Sequence, residues 1–323
     1  MKAIRFAKTG GPEVLSYETI ALPPPGKGEV RVRHTAIGVN FIDIYHRSGL
    51  YAVPLPSGLG REAAGTVEAV GEEVATFKPG DRVCYCTGPM GAYGEANNVG
   101  VEALLRLPGF ISDEVAAAAL LKGMTAQYLL KRTFAVQKGQ TVLFHAAAGG
   151  VGLIAVQWAR HLGARVIGTV GSDDKIELAK ANGCWQVLNL RQDDWVAKVR
   201  EWTNGEGVPV VYDSVGKDTF AGSLDCLAIR GMLVSFGNSS GAVPTFEPAI
   251  LSAKGSLYLT RPTLFHYARP PRELQETADD LFAVIKSGAV KIMVNQRFAL
   301  AEARAAHEAL ASRQTTGATI LIP

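Results

Sequence analysis

The spacing of apolar residues divides the chain into two parts. Up to about Gly123, short runs that alternate apolar and polar residues are separated by Gly/Pro turns such as Lys78-Pro79-Gly80-Asp81. This pattern is typical of strands in a β-barrel-like module. The predicted strands are Lys2–Phe6, Glu29–Ala36, Ala64–Val70 and Arg82–Cys86. Short helices are predicted at Asn40–Arg47 and Ser112–Ala119, the second with Ser112 as N-cap.

After Gly123 the pattern alternates between apolar strands and helices, which predicts a doubly wound parallel sheet. Its six strands are predicted at 141–146, 165–170, 185–189, 208–213, 231–237 and 256–261. A helix at about 271–287, a strand near 292–299, a helix over Ala301–Ala311 and a strand over Ala318–Ile322 follow. The final strand has no place in the six-stranded sheet. We therefore predict a discontinuous first domain, 1–123 with 262–323, into which the domain 124–261 is inserted.

Residues 139–160 read as a buried strand, a turn of small residues and an amphipathic helix. Ala147, Gly149 and Gly152 occupy the three small positions of a G-x-G-x-x-G fingerprint, with alanine in the first. Small residues let the backbone approach a pyrophosphate, whose charge is then bound by N–H groups at the helix N-terminus. The segment predicts a nucleotide site.

The end of the second predicted strand bears on the identity of that nucleotide. In NAD-binding sheets this strand ends near an acid that holds the ribose 2′-hydroxyl. Here it ends in Gly171-Ser172, and Lys175 lies one helical turn further on. A hydroxyl and an ammonium favour a 2′-phosphate, so we predict NADP(H) rather than NAD(H). The alternative is that Ser172 only caps a helix whose first turn holds Asp173 and Asp174.

Composition restricts the class of protein. The chain has 323 residues, 47% of them apolar and 20% charged, which suits a two-domain α/β enzyme. The net charge is only +3 and no dense Lys/Arg run occurs, so electrostatics gives no argument for nucleic-acid binding. No signal-peptide core is present, and no window approaches the roughly 18 apolar residues of a membrane span. The scattered cysteines (84, 86, 184 and 226) indicate a reducing, cytoplasmic setting.

Several further motifs, in order along the chain, carry a family resemblance. They are NFIDIYHRSGLY (40–51), PSGLGREAAG (56–65), VVYDSVG (210–216), VSFGNSSG (234–241) and GSLYLTRP (255–262). With the segment 139–160, they resemble bacterial NADPH:quinone oxidoreductases, the zeta-crystallin-like branch of the medium-chain dehydrogenase/reductase superfamily. The resemblance implies a GroES-like β-barrel catalytic domain, a Rossmann NADP(H)-binding domain, an active site in the cleft and a homodimer joined near 256–261.

The resemblance also implies roles for individual residues. Asn40, Tyr45 and Tyr51 would line the pocket for the substrate and the nicotinamide. The predicted cofactor-binding residues are Thr125, Ala147, Gly149, Gly150, Val151, Gly171, Ser172, Lys175, Ser214, Phe236, Gly237, Asn238, Ser239 and Arg313. Where close relatives carry a tyrosine near the adenosine phosphate, this chain has Leu190. That contact is lost unless Arg191 substitutes for it.

The sequence offers little for metal or nucleophilic catalysis. Zinc-dependent members of the superfamily often have a Gly-His-Glu run, whereas this chain has Gly60-Arg61-Glu62, and a cationic side chain cannot bind a metal. The pair Cys84-x-Cys86 has no second pair to complete four ligands. No Gly-x-Ser-x-Gly elbow occurs. Asp213-Ser214 ends the fourth strand of the sheet. The pair either contacts a ligand or only forms the turn that follows the strand. His46 is a candidate for a substrate or proton role beside Tyr45.

These features predict metal-free reduction of a quinone by NADPH, with transfer from nicotinamide C4 to the bound quinone. Two alternatives stay open. The same cleft suits NADPH-dependent reduction of an activated C=C bond in an enone or alkenal. The chain could also be a non-catalytic NADPH-binding protein, structural or RNA-binding, as zeta-crystallin relatives suggest.

Overall fold

The computed structural model describes residues 1–323, which form two compact units. Unit 1 comprises Met1–Met124, Tyr267–Lys286 and Ile292–Pro323. Unit 2 comprises Thr125–His266 and Ser287–Lys291. Compared with the ranges predicted from the sequence, residues 262–266 and 287–291 lie with unit 2, and Met124 lies with unit 1.

The first part of the chain contains eight strands, two α-helices and two short 3₁₀ helices, Pro12–Val14 and Val101–Ala103. The strands are β1 (Lys2–Phe6), β2 (Ser16–Thr19), β3 (Glu29–Val39), β4 (Ser57–Gly58), β5 (Ala63–Val70), β6 (Arg82–Tyr85), β7 (Ala96–Gly100) and β8 (Leu105–Arg106). The helices are α1 (Phe41–Ser48) and α2 (Asp113–Tyr128).

Helix α2 is longer than the predicted Ser112–Ala119, although Ser112 does accept a hydrogen bond from the Val115 N–H, at 3.3 Å. From Ala116 onward nearly every residue of the helix is buried. A helix that is apolar on all sides has no amphipathic period, so the sequence pattern could not show where it ends.

Unit 2 is built around a parallel sheet. Its strands are β9 (Thr141–Phe144), β10 (Arg165–Val170), β11 (Cys184–Asn189), β12 (Val208–Asp213), β13 (Leu227–Ser235) and β14 (Tyr258–Thr260). Its helices are α3 (Gly150–His161), α4 (Ile176–Ala181), α5 (Trp195–Trp202), α6 (Phe220–Asp225), α7 (Ala249–Ala253) and α8 (Leu264–Tyr267).

The strand order is β11-β10-β9-β12-β13-β14, and every pairing is parallel. The predicted six-stranded doubly wound sheet is confirmed. Phe144 pairs with both Gly168 and Tyr212, so the carboxyl ends of the central strands meet at one edge. Ligands bind open parallel sheets at this edge, where the strand order reverses.

The C-terminal segment adds α9 (Arg272–Lys286), β15 (Val294–Ala299), α10 (Ala303–Ala311) and β16 (Ala318–Ile322). Strand β16 pairs in parallel with β15 and antiparallel with β3. The second sheet of unit 1 therefore has the order β15-β16-β3-β5-β6-β8, with β7 also paired to β3. A smaller sheet, β2-β1-β4, completes unit 1. No helix of the chain combines the length and the apolar character needed to cross a membrane.

Candidate active site

The turn between β9 and α3 presents main-chain groups. Gly149 is the N-cap of α3, in extended backbone conformation with φ −80° and ψ 177°, and no side chain caps the helix. Ala146, at φ 54°, bends the chain into the turn. The N–H groups of the first turn of α3, which includes Gly150 and Val151, therefore have no partner within the helix. Such a terminus attracts an anion through these donors and the helix dipole.

Close backbone packing explains why small residues occupy this turn. A Cβ on Gly152 would lie 2.2 Å from the Ala146 carbonyl oxygen and 2.7 Å from the Ala147 carbonyl carbon. On the neighbouring strand, a Cβ on Gly168 would lie 2.8 Å from the Ala147 Cβ. Ala147 is fully buried, and its N–H donates to the Thr169 carbonyl at 2.9 Å. Ala147 and Gly152 thus let the strand, turn and helix pack together.

The end of β10 is neutral, as the sequence indicates. Ser172 precedes a short 3₁₀ turn, Asp173–Lys175, but its side chain makes no capping hydrogen bond. The Asp173 carboxylate accepts a hydrogen bond from the Asn189 side-chain amide at 2.8 Å. Lys175 is buried, which lowers its pKa, while the Asp174 carboxylate raises that pKa. The Ser172 hydroxyl does not serve as a helix cap here, contrary to the alternative considered from the sequence.

The turn after β12 is organised by a buried carboxylate. Asp213 accepts hydrogen bonds from the Val215 and Gly216 N–H groups, at 2.8 and 3.0 Å. The hydroxyls of Thr219 and Ser223 also donate to it, at 2.8 and 3.0 Å. The sequence left two roles open for Asp213, a ligand contact and the formation of a turn. These contacts support the turn. The carboxylate fixes the backbone that presents Ser214.

The turn after β13 packs against this one. A Cβ on Gly237 would lie 2.6 Å from the Ser214 carbonyl oxygen, so only glycine permits the approach. The Ser239 N–H donates to that same oxygen at 3.1 Å, and the Phe236 N–H donates to the Asp213 carbonyl at 2.7 Å. The sheet edge therefore brings together three predicted groups of cofactor residues. They are Ala147 with Gly149–Val151, Gly171 with Ser172 and Lys175, and Ser214 with Phe236–Ser239.

Two predicted cofactor residues lie elsewhere in the chain. Thr125 is a buried residue of α2 and belongs to unit 2. Arg313 follows α10 in unit 1, in the left-handed backbone region at φ 60°. Neither residue belongs to the turns at the sheet edge, and their roles stay predictions.

The three predicted pocket residues lie on or beside α1 in unit 1. Tyr45 and Tyr51 form an edge-to-face pair with centroids 5.2 Å apart, and the Tyr51 N–H donates to the Tyr45 carbonyl at 3.0 Å. His46 lies 6.1 Å from the Tyr51 ring. Burial and the neighbouring Arg61 cation lower the pKa of His46 to about 4. The imidazole is therefore neutral near pH 7, so His46 does not supply a proton as an imidazolium.

Asn40 is held by a buried network that the sequence did not reveal. Its side-chain amide donates to Glu62 at 2.8 Å. Glu62 is fully buried and also accepts from the Leu121 N–H at 2.6 Å and from the Lys122 ammonium at 3.4 Å. On the other side, the Asn40 N–H donates to Asp43 at 2.9 Å. In the run Gly60-Arg61-Glu62, the sequence indicates only the consequence of Arg61 for metal binding, and the role of Glu62 depends on contacts that are distant in sequence.

The side chains of unit 1 that correspond to candidate zinc ligands, Arg61, Cys84 and Cys86, do not suit a zinc ion. The Arg61 guanidinium donates to the Gly88 carbonyl at 2.9 Å, and a cation cannot bind a metal ion. Cys84 and Cys86 are fully buried, and burial raises the pKa of each thiol well above its usual range, which disfavours the thiolate needed for metal binding. No group of three or more His, Cys, Asp or Glu side chains in the chain is arranged to hold a metal ion.

Comparison with known proteins agrees with this architecture. The family described as the alcohol dehydrogenase GroES-like domain matches residues 26–140. The family described as zinc-binding dehydrogenase matches residues 150–283, although the zinc of its description does not fit the side chains described above. The predicted fold, a GroES-like β-barrel domain with a Rossmann six-stranded sheet, is confirmed.

The similarity to individual proteins extends over the full length of the chain. The chain is 57% identical to a quinone oxidoreductase of Pseudomonas aeruginosa over 323 residues, covering 100% of this chain and 99% of that one. It is 48% identical to a 2-haloacrylate reductase of a Burkholderia species, covering 98% and 97%. The crystal structure of Escherichia coli quinone oxidoreductase complexed with NADPH superposes with a TM-score of 0.98 at 51% identity, covering 100% of both chains.

Proposed function

Because the chain belongs to the quinone oxidoreductase family of the medium-chain dehydrogenase/reductase superfamily, we propose that it reduces quinones with NADPH and without a metal. The observation that carries the proposal is the carboxyl edge of the six-stranded sheet. There, the first turn of α3 offers free N–H donors, and β10 ends in a hydroxyl and an ammonium rather than an acid. This combination suits a pyrophosphate and a 2′-phosphate.

The chain's own residues have distinct tasks in this reaction. NADPH, when bound, supplies the reducing equivalents. The N–H groups of Gly150 and Val151 bind its pyrophosphate, and Ser172 with Lys175 binds its 2′-phosphate. The rest of the predicted set, including Thr125 and Arg313, completes the cofactor site.

The aromatic pair Tyr45 and Tyr51, on and just after α1, binds the quinone. Tyr45 and Tyr51 form apolar walls whose hydroxyls can donate to a quinone oxygen. Asn40, fixed by Glu62 and Asp43, orients this end of the pocket. No Lewis acid is required of the protein, because a quinone accepts reducing equivalents readily, and Arg61 stands where a metal ligand would be needed.

The test is an acceptor panel with purified, chelator-treated protein. NADPH oxidation is followed with several quinones and several enones, with radical detection to separate one-electron from two-electron reduction. We expect turnover with quinones, and a higher kcat/KM with NADPH than with NADH. Equal efficiency with the two nucleotides would contradict the NADP(H) assignment, and activity that depends on added zinc would contradict the metal-free reaction.

Reduction of an activated C=C bond is the second candidate. It is favoured by the 48% identity to a 2-haloacrylate reductase, whose substrate is an electrophilic alkene. Faster turnover of enones than of quinones in the panel would establish this activity instead. NADPH binding with no turnover of any acceptor would indicate a non-catalytic binding protein.

The roles of the two tyrosines need a separate experiment. Tyr45→Phe and Tyr51→Phe remove only a hydroxyl and keep the edge-to-face packing. We expect kcat/KM for quinones to fall several-fold in at least one variant, with NADPH binding unchanged. Unchanged kinetics in both variants would reduce the tyrosines to a structural role.

We also propose a cytoplasmic homodimer joined through β14. This strand is the edge of its sheet, and the side chain of Tyr258 on it is 58% exposed. On the neighbouring β13, Ile229 is 79% exposed, which suits an apolar contact. The four cysteines are free and buried, which fits a reducing compartment. Sedimentation equilibrium of the wild type and of Ile229→Lys tests the dimer, since a charge there should produce monomers.

A further inference from the structure

We propose that Arg191 binds the 2′-phosphate of NADPH together with Lys175, and that this second cation sets the preference for NADPH over NADH. The inference rests on the proposed function, because it assumes that the sheet edge binds NADPH. It assigns a specificity role to a residue that lies outside the glycine turn and outside the segment 171–175.

Main-chain hydrogen bonds place Arg191 beside the end of β10. In the parallel pairing of β10 and β11, Val170 is opposite Asn189. The Leu190 N–H then donates to the Val170 carbonyl at 2.9 Å. The chain therefore leaves β11 at the same level at which Gly171 and Ser172 leave β10. Arg191, the next residue, emerges at the carboxyl edge of the sheet next to the proposed phosphate site.

Asn189 fixes this arrangement. It is only 2% exposed, and its side-chain oxygen accepts from the Arg191 N–H at 3.0 Å. Its side-chain amide donates to the Asp173 carboxylate at 2.8 Å. One buried side chain thus joins the turn after β10 to the turn after β11, and holds the two cation-bearing segments in register.

Two of the nearby carboxylates, Asp173 and Asp193, are engaged with other groups. Asp173 is bonded to Asn189. Asp193 accepts from the Asn189 N–H at 2.7 Å and forms an ion pair with Lys198. The guanidinium of Arg191 makes no hydrogen bond or ion pair with these acids, and its side chain is exposed. It is therefore available to a ligand rather than neutralised by the protein.

Electrostatics supports the pairing with Lys175. Burial lowers the pKa of Lys175, the Asp174 carboxylate raises it, and the Arg191 guanidinium lowers it further. Arg191 is thus near enough to repel the Lys175 ammonium. Two cations that repel each other across a neutral strand end form a site for a dianion, and the 2′-phosphate is the dianionic group that distinguishes NADPH from NADH.

The test measures binding directly, by calorimetric or fluorescence titration of the whole protein with NADPH, NADH, 2′-AMP and 5′-AMP. We expect Arg191→Ala to raise the Kd for NADPH and for 2′-AMP by about tenfold or more. The Kd for NADH and 5′-AMP should change by less than about twofold, since neither carries a 2′-phosphate. Arg191→Lys should recover part of the loss, because it keeps the charge but not the planar fork.

Lys180→Ala is the matched control. Lys180 is an exposed cation of α4 in the same unit, paired with Glu177 at 3.1 Å, and its removal should leave all four Kd values unchanged. An Arg191→Ala variant that binds NADPH as tightly as the wild type overturns the inference. So does a variant that loses NADPH and NADH affinity equally. A wild-type protein that binds neither dinucleotide overturns the proposed function itself, a separate and recognisable failure.

Discussion

The two regions that contain predicted site residues are built in different ways. At the sheet edge of unit 2, main-chain atoms form the site: the turn over Ala147–Gly152 offers N–H groups and packs closely because its residues are small. Around α1 in unit 1, side-chain hydrogen bonds and charges hold the predicted residues in place. Asn40 is held between Glu62 and Asp43, and these carboxylates are held in turn by Leu121, Lys122 and Tyr93.

This difference decides how each part can fail. A backbone site depends on the absence of atoms, so an added methyl group damages it and most polar substitutions nearby do not. A side-chain site depends on buried charge and hydrogen bonding, so a lost carboxylate damages it. The four predictions below follow from that contrast.

Glu62→Ala should have the largest effect. It leaves the Lys122 ammonium, whose side chain is 6% exposed, without its 3.4 Å partner, and it also removes the acceptor of the Leu121 N–H. Breaking a buried ion pair on one side costs about 3–5 kcal/mol. We expect a loss of that size in the free energy of unfolding, measured by urea denaturation.

Glu68→Ala is the control for Glu62. Glu68 lies within β5, which Glu62 directly precedes, and it pairs with Arg33, whose side chain is 61% exposed. Surface pairs contribute about 0–1 kcal/mol, so the loss should be small. Equal destabilisation by the two substitutions would mean that buried charge does not hold the α1 region.

Asp43→Asn should change the pH dependence of stability. Burial raises the pKa of Asp43 from 3.8 to about 7, against hydrogen bonds from the Asn40 N–H and Tyr93, which lower it. The folded protein therefore retains a proton that the unfolded chain loses, and this stabilisation declines as the pH rises from about 4 to about 7. Each pKa unit corresponds to about 1.4 kcal/mol, so the difference reaches a few kcal/mol.

The measurement is urea denaturation of both proteins across that pH range. Relative to wild type, Asp43→Asn should gain stability as the pH rises towards neutrality. His34, His46 and His307, whose pKa values are lowered by burial, affect both proteins with the opposite sign and cancel in the comparison. A difference that is constant with pH would show that Asp43 is ionised throughout the range.

Gly152→Ala should damage the backbone site. Its Cβ would meet main-chain atoms at 2.2 and 2.7 Å, and these cannot rotate away as a side chain can. Overpacking of this kind costs about 1–3 kcal/mol, and the turn should open enough to weaken NADPH binding at the same time. Thermal unfolding and titration with NADPH measure the two effects. Gly109→Ala, which meets nothing within 4 Å, should leave both unchanged.

Ser172→Ala should have the smallest effect, and it separates the two explanations for this serine. The hydroxyl makes no capping hydrogen bond, so the melting temperature should not change. A hydrogen bond from a neutral hydroxyl to a charged phosphate contributes at least about 1.5 kcal/mol, so the Kd for NADPH should rise about tenfold. A lower melting temperature with unchanged NADPH affinity would restore the helix-cap explanation.

The same contrast explains what the sequence could predict. The small residues at 147, 149 and 152 and the six strands around them follow from local patterns, because the backbone geometry demands particular residue types within a few positions. The network around Asn40 has no local signature. It joins Glu62 to Leu121, and Asp43 through Tyr93 to His307, whose Nε2 lies 3.1 Å from the Tyr93 hydroxyl. Contacts across such sequence distances appear only once the chain is folded.

The end of α2 and the role of Asp213 were beyond prediction for related reasons. Uniform burial removed the periodicity of α2. The residues after Asp213 suit a turn and a ligand contact equally well, and only the bonds to Val215, Gly216, Thr219 and Ser223 distinguish the two.

The position of β16 has a consequence for how the protein is made. This strand is the last in the chain, yet it lies inside the sheet of unit 1, between β15 and β3. On the ribosome, β3 lacks this neighbour until residues 318–322 have been translated. The six strands of unit 2, all complete by Thr260, emerge earlier and can pair while synthesis continues. Translation thus completes the strands of unit 2 before those of unit 1, and a chain that stops before Ala318 would lack the strand between β15 and β3.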